Sequence, residues 1–195
     1  MGLDWNNVIF SDEKKFNLDG PDGFRMFWYD PGLDKKIFSR RQNGGGSVMV
    51  WAGFSTNGKT NLVVLDGRQT ATTYISTLEE NLLPVIESCS PGRALFQQDN
   101  CSIHTAKSTK AWLMQENINL MTWPSRSPDL NPMENLWGIL ARQVYSNGRQ
   151  FDNRASLVER IKNCWSELSN EVLSSLVQSM KSRCVKVLTN KGKFL

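Results

Sequence analysis

Acidic residues at three places carry the chemical interest of this 195-residue chain. Asp99 closes the apolar run RALFQQDN, and Glu134 opens the segment MENLW, with thirty-four residues between the two acids. That interval is long enough to leave a strand, cross a helix, add another strand and enter a second helix, so both carboxylates can return to one place. The third place is the early segment NVIFSDEKKFNL, where Asp12 and Glu13 are adjacent. A strand alternates its faces with period two, so one of this pair can face a site while the other meets solvent.

Three carboxylates drawn from a strand, a strand end and a helix start make an oxygen-rich site suited to hard divalent cations such as magnesium or manganese. Two such ions about 3.5–4 Å apart can activate a nucleophile on one side of a phosphodiester and stabilise the leaving oxygen on the other. Residue type and spacing leave this as one chemistry among several. A zinc site built from several imidazoles is excluded, because His104 is the only histidine.

Stepping outward, periodicity gives the elements that must position these acids. Val8, Ile9 and Phe10 begin a strand that Asp19-Gly20 ends, and FRMFWYD has aromatic strand character. SVMVWAGF reads as a buried strand, joined through an Asn57-Gly58 hairpin to TNLVVLDG, so the early strands are antiparallel neighbours. From Thr70 to Cys89, Tyr74, Leu78, Leu82, Val85, Ile86 and Cys89 recur at helical spacing, with Pro84 kinking the helix or ending it early. A short strand then carries Asp99 at its C-terminal end, where ligands of open α/β sheets gather. Thr105 to Asn117 is a helix, INLMTW another strand, and PSRSPDLNP a rigid connection into a helix starting at Pro132. Two further amphipathic helices cover one sheet face, the first with Leu157, Ile161, Trp165 and Leu168, the second with Val172, Leu173, Leu176, Val177 and Met180.

Several of these features also have structural explanations. Asn131 and Glu134 have the spacing of a capping box, in which Glu134 reaches back to the backbone amide of the cap. Gly44-Gly45-Gly46 precedes a strand and lacks a following Gly-Lys-Ser/Thr, so it is a hairpin connection and not a phosphate loop. Lys35, Lys36, Arg40 and Arg41 lie in the polar loop from Pro31 to Gly46; they can meet phosphates or form a solvated face.

Composition sets the outer bounds. With 39% hydrophobic and 22% charged residues the chain suits one globular α/β domain over residues 1–195, expected to be soluble and intracellular. No apolar run approaches a membrane span. A net charge of +4 is compatible with a polyanionic partner without requiring one. Cys89, Cys101, Cys164 and Cys184 have no paired spacing and read as buried or free thiols.

The segments VIFSDEKKF, GGGSVMVW, FQQDN followed by His-Thr, and WPSRSPDLNPMENLW resemble, in order, the catalytic domain of the Tc/mariner superfamily of DNA transposases. That resemblance implies a ribonuclease-H-like α/β fold with a mixed five-stranded sheet, flanking helices and extra C-terminal helices. It implies a catalytic and metal-binding set of Asp12, Asp99 and Glu134, with two Mg2+ or Mn2+ ions cutting DNA at transposon ends and joining the 3′-hydroxyl to target DNA. Glu13 is at most accessory. His104 is read as a hydrogen-bonding or DNA-proximal residue or as an ordinary helix-start residue, and Asn100 and Asn135 as neighbours that orient the acids. Trp123, Pro124 and Trp137 are expected to pack. The family acts as dimers on paired ends, with the region matching Asp19 to Gly46 making contacts between subunits; its DNA substrate implies a nuclear location. The helix-turn-helix domains that precede the first motif in the family are expected to be absent, and sequence-specific recognition of transposon ends with them. Two alternatives accompany this expectation: a domesticated or decayed fragment acting as a non-catalytic DNA-binding or dimerisation module, and a nuclease acting on RNA–DNA hybrids.

Overall fold

The computed structural model describes residues 3–21, 46–88, 94–124 and 127–190. The expected strand FRMFWYD, the basic residues Lys35, Lys36, Arg40 and Arg41, most of the segment from Asp19 to Gly46, and Cys89 lie outside the described residues.

The first acidic segment forms the central strand of a mixed sheet. β1 (Val8–Asn17) pairs antiparallel with β2 (Ser47–Ser55), in a register that runs from Phe10↔Phe54 to Asn17↔Ser47. The other edge of β2 takes two short antiparallel pieces, β3 (Gly58–Lys59) and β4 (Val63–Leu65), opposite different parts of the strand. On the far side of β1 lie β5 (Leu95–Gln97) and then β6 (Asn119–Leu120), both parallel. Six segments among the described residues therefore occupy five sheet positions: of the strand expected from TNLVVLDG only Val63–Leu65 pairs, and Gly58–Lys59, in the expected turn, pairs separately. The expected hairpin is present but displaced by one residue. Thr56 and Asn57 make the turn, while Gly58, at φ +148°, is already paired with Ser55.

Alternation along β1 and β2 separates two cores. Val8, Phe10, Phe16, Val48, Val50, Ala52 and Phe54 face one side; Ile9 and Trp51 face the other. On the second side pack α1 (Ala71–Asn81), α2 (Leu83–Ser88) and α3 (Lys107–Gln115), through Tyr74, Leu78, Leu82 and Leu113. Thr70 and Thr73 cap α1 reciprocally. Pro84 divides the expected single helix: α1 stops at Asn81, and Pro84 falls in the first turn of α2, where its missing N–H costs nothing.

The first side is covered by α4 (Pro132–Val144), α5 (Arg154–Glu167), α6 (Asn170–Gln178) and α7 (Met180–Thr189). Trp137, Leu140, Leu157, Ile161, Trp165, Leu173, Val177 and Met180 all join that core. Two indole or phenol groups tie these helices to the sheet side by hydrogen bonds, Trp165 to the Thr60 carbonyl at 2.9 Å and Tyr145 to the Asn17 carbonyl at 2.7 Å. After α4 the sequence predicts two helices where three are found. The break between α6 and α7 falls at Ser179, which keeps near-helical angles (φ −66°, ψ −18°), and no glycine or proline marks it. Among the described residues no helix is long and apolar enough to cross a membrane.

Candidate active site

The sheet order brings the acids together. Asp12 lies on the central strand, opposite Ala52, and Asp99 follows two residues after the end of the adjacent parallel strand. Just before Asp12 the two strands are locked side by side, with the Ser11 hydroxyl donating to the Gln97 carbonyl at 2.9 Å. The helix carrying Glu134 is pinned to the same spot by buried Asn131. Its Nδ2 donates to the Ser11 carbonyl at 3.2 Å, and its Oδ1 accepts from the Met133 amide at 3.0 Å. Asp12, Asp99 and Glu134 consequently line one cleft of about 490 Å³, together with Asn100, Trp123, Pro124 and Pro128.

This arrangement rules out the capping box for Glu134. The Asn131 backbone amide, which a capping box would hand to Glu134, donates to the Pro128 carbonyl at 3.0 Å instead. That bond belongs to the 3-10 turn Pro128–Leu130 that leads into α4. Asn131 caps alone, and the Glu134 carboxylate is released into the cleft. Among the described residues it pairs with Lys14 Nζ at 3.9 Å, with both side chains about four-tenths exposed (39% and 43%), a pair that solvent screening makes weak.

The two aspartates sit in opposite electrostatic surroundings. Burial, followed by the charges of Glu13 and Glu134, pushes the Asp12 carboxyl up to about 7; the Glu13 amide and the Trp137 indole oppose this. The indole N–H donates to Asp12 Oδ2 at 3.1 Å. Asp99 is held below the usual carboxylate range, chiefly by its hydrogen bond to His104. His104 Nδ1 lies 2.6 Å from Asp99 Oδ1, the same oxygen that accepts from the Cys101 amide at 2.9 Å. On the other side of the imidazole, Nε2 stands 3.3 Å from Glu13 Oε1. Burial alone would lower the His104 pKa, but the two paired carboxylates outweigh it and carry the imidazole up to about 10.

Period two does put Asp12 and Glu13 on opposite faces, yet Glu13 does not simply meet solvent. It is three-quarters buried and paired with His104. His104 itself is not a helix-start residue: it is 3% exposed, and Ala106 occupies the cap of α3. Asn100 reaches away from the acids to the Trp123 carbonyl at 3.0 Å, tying two walls of the cleft together. Asn135 is exposed in a second hollow that also holds Glu134, Arg183 and Lys186, and it makes no side-chain hydrogen bond among the described residues. Trp123 packs on the core and also lines the cleft. Trp137 packs as expected, but its bond to Asp12 went unread. The signal was present in its spacing, three residues after Glu134 on the same helical face.

The donor set suits a hard divalent ion: every oxygen comes from a carboxylate, and burial together with the neighbouring charges of Glu13 and Glu134 raises the Asp12 pKa. Among the described residues no three His, Cys, Asp or Glu side chains already converge on one coordination point. Ion binding would therefore have to draw the carboxylates closer.

Comparison with known proteins places this geometry. The Tc3 transposase of a transposable element of Caenorhabditis elegans is 44% identical over 192 residues, which are 98% of this chain and 58% of that protein. The chain thus spans less than two thirds of the length of that relative. Among solved structures, the Mos1 transposase paired-end complex with left transposon end superimposes with a TM-score of 0.82 at 21% identity, over 97% of this chain and 56% of the other. The Mos1 transposase catalytic domain with raltegravir and Mg gives 0.73 at 18% identity, over 98% of this chain and 86% of that one. The fold is accordingly ribonuclease-H-like, a mixed sheet flanked by helices with several more at the C-terminal end. The profile of the DDE superfamily endonucleases matches residues 7–158, and the chain belongs to that family.

Proposed function

We propose that the chain is the catalytic part of a metal-dependent DNA transposase, cleaving phosphodiesters at transposon ends and transferring the 3′-hydroxyl strand to target DNA. The observation that carries this reading is the meeting of Asp12, Asp99 and Glu134 in one cleft, from three separate elements, in a chain 44% identical to a transposase. Asp12 and Asp99 would hold the ions, with Glu134 completing the second site. Two bound Mg2+ or Mn2+ ions supply Lewis-acid activation of the attacking oxygen and charge stabilisation at the leaving oxygen.

The chain's own residues set the terms for that chemistry. Trp137 fixes the direction of Asp12 by donating to one of its oxygens. His104 and the Cys101 amide both occupy Oδ1 of Asp99. Asn131 locks the helix start, so that Glu134 carries no structural duty and is free to ligate. Lys35, Lys36, Arg40 and Arg41 are proposed to contact DNA phosphates, whose charge they would neutralise. Assembly of two copies on paired DNA ends, and work in the nucleus, go with this reading.

The test is cleavage of labelled duplex DNA by the chain, alone and joined to a DNA-binding domain, with Mg2+ or Mn2+. Nicking that needs the metal and vanishes in Asp99→Ala is expected. Failure to bind divalent ions and to cut in every setting would remove the enzyme reading, and preference for RNA–DNA hybrid would assign the site to another nuclease class.

A further inference from the structure

Behind the cleft runs a line of three side chains, of which the proposed chemistry itself requires only Asp99. Asp99, His104 and Glu13 form a carboxylate–imidazole–carboxylate row linking the loop after β5 to the strand that carries Asp12, with contacts of 2.6 Å and 3.3 Å. The imidazole at its centre is buried and hydrogen-bonded through Nδ1 to Asp99, while Nε2 meets Glu13 at ion-pair distance without hydrogen-bond geometry. The His104 backbone amide donates to the Cys101 carbonyl at 3.0 Å. Its carbonyl accepts from Gln98 Nε2 at 3.3 Å, and Gln98 Oε1 in turn accepts from the Tyr74 hydroxyl at 2.7 Å. The Tyr74 ring lies against the imidazole with centroids 4.2 Å apart.

An ordinary buried histidine is neutral, with one ring nitrogen donating and the other accepting. This one sits between two carboxylates, one of which reaches it from the residue next to Asp12. Both donors to Asp99 fall on Oδ1, and Oδ2 has no partner among the described residues. The carboxylate is thus presented to the cleft with one oxygen committed and one open.

We infer that Glu13 and His104 are positioning residues: Glu13 fixes the ring of His104, and His104 fixes Asp99 so that Oδ2 faces the incoming cation. The inference rests on the metal-site reading above. It gives Glu13 a definite role as a residue acting two contacts behind the ligand Asp99. Such outer partners of ligating groups are worth about 10–100-fold in metal affinity or activity.

Because His104 is the only histidine of the chain, its ring nitrogens give an unambiguous signature in 15N NMR. The experiment compares wild type, Glu13→Gln, His104→Gln and Asp99→Asn by ring 15N shifts, by calorimetric Mg2+ titration, and by kcat and KM for duplex cleavage. Ring signals are expected to move in metal-free Asp99→Asn and Glu13→Gln. Mg2+ affinity and kcat should fall about tenfold in Glu13→Gln and toward about 100-fold in His104→Gln, with KM for DNA unchanged. If His104→Gln fails to fold, Glu13→Gln, a near-isosteric change at a side chain one-quarter exposed, carries the test. Ring signals indifferent to Glu13→Gln, or Mg2+ affinity in Glu13→Gln within about twofold of wild type, would overturn the inference. A wild-type chain that binds no Mg2+ would instead sink the metal reading; ring signals that still respond to Glu13→Gln would then leave the row itself standing.

Discussion

Asp12 and Asp99 come from neighbouring strands and line the same cleft, but they are prepared in opposite ways. On the α4 side, Asp12 is buried among other acids and carried up to about 7, with one indole N–H as its side-chain donor. On the α1 side, Asp99 has an imidazole and a backbone amide on a single oxygen and is held low. A cation arriving at neutral pH finds one ligand ionised and oriented and the other close to half protonated. The difference teaches that, among the described residues, a buried imidazole is paired with one aspartate of the acidic site, while the other is left to burial and to the charges of Glu13 and Glu134.

The sharpest way to break the comparison is to neutralise each aspartate in turn. Asp12→Asn and Asp99→Asn should both abolish metal-dependent cleavage, yet move stability in opposite directions. In the metal-free protein above neutral pH, Asp12→Asn should raise the thermal midpoint by removing a crowded charge. Asp99→Asn should lower stability by about 1.5 kcal/mol, at the low end for a charge-assisted hydrogen bond because the carboxylate is half exposed. Differential scanning calorimetry checks the sign, and equal shifts would contradict the asymmetry.

A second contrast separates Glu134 from its neighbour Asn131. Glu134→Gln should lose cleavage while leaving stability within about 0.5 kcal/mol, as for a surface change. Asn131→Ala removes the cap and the tie to Ser11, and should cost at least about 1 kcal/mol in urea unfolding. If Glu134→Gln proved the more destabilising, the carboxylate would be a structural cap after all.

Trp137→Phe is a smaller perturbation, because the ring stays in the core and only the donor to Asp12 is lost. Mg2+ affinity should fall about tenfold, the lower end for an outer partner of a ligand. The Asp12 carboxyl should titrate higher than in wild type, which 13C NMR of the side chain would read directly.

The gentlest test is pH. The folded Asp12 pKa of about 7 lies above the ordinary aspartate value of 3.8, so Asp12 binds its proton more tightly in the folded state. Its contribution to metal-free stability is therefore full below the lower value and is lost as pH rises toward the upper one. Mg2+ affinity should move the other way, rising through the same window as the ligand ionises. Parallel denaturation and titration series between pH 5 and 8, compared with Asp12→Asn, would expose any departure from these opposed slopes.

Much of this was legible in the sequence because it depends on period and length. Strand alternation put Asp12 and Glu13 on opposite faces, and thirty-four residues sufficed for the path from the end of β5 through α3 and β6 into the start of α4 that returns Glu134 to Asp99. What stayed hidden depends on contacts across the fold. No local signal says that Asn131 would reach Ser11, 120 residues earlier, and so release Glu134 from capping. Nor does a lone histidine announce that it will be sealed beneath Tyr74 between two acids. The junction at Ser179 escaped notice for a simpler reason: its backbone hardly leaves the helical region, so neither period nor composition changes there.

The central claim, that Asp12, Asp99 and Glu134 act together as a divalent-metal site, is tested most directly by anomalous scattering from crystals of the chain soaked in Mn2+. Two manganese peaks among the three carboxylates, with the side chains drawn inward and Asp99 still bonded to His104, are the predicted result. Soaked crystals with no peak in the cleft, or with manganese held by other residues, would contradict the account.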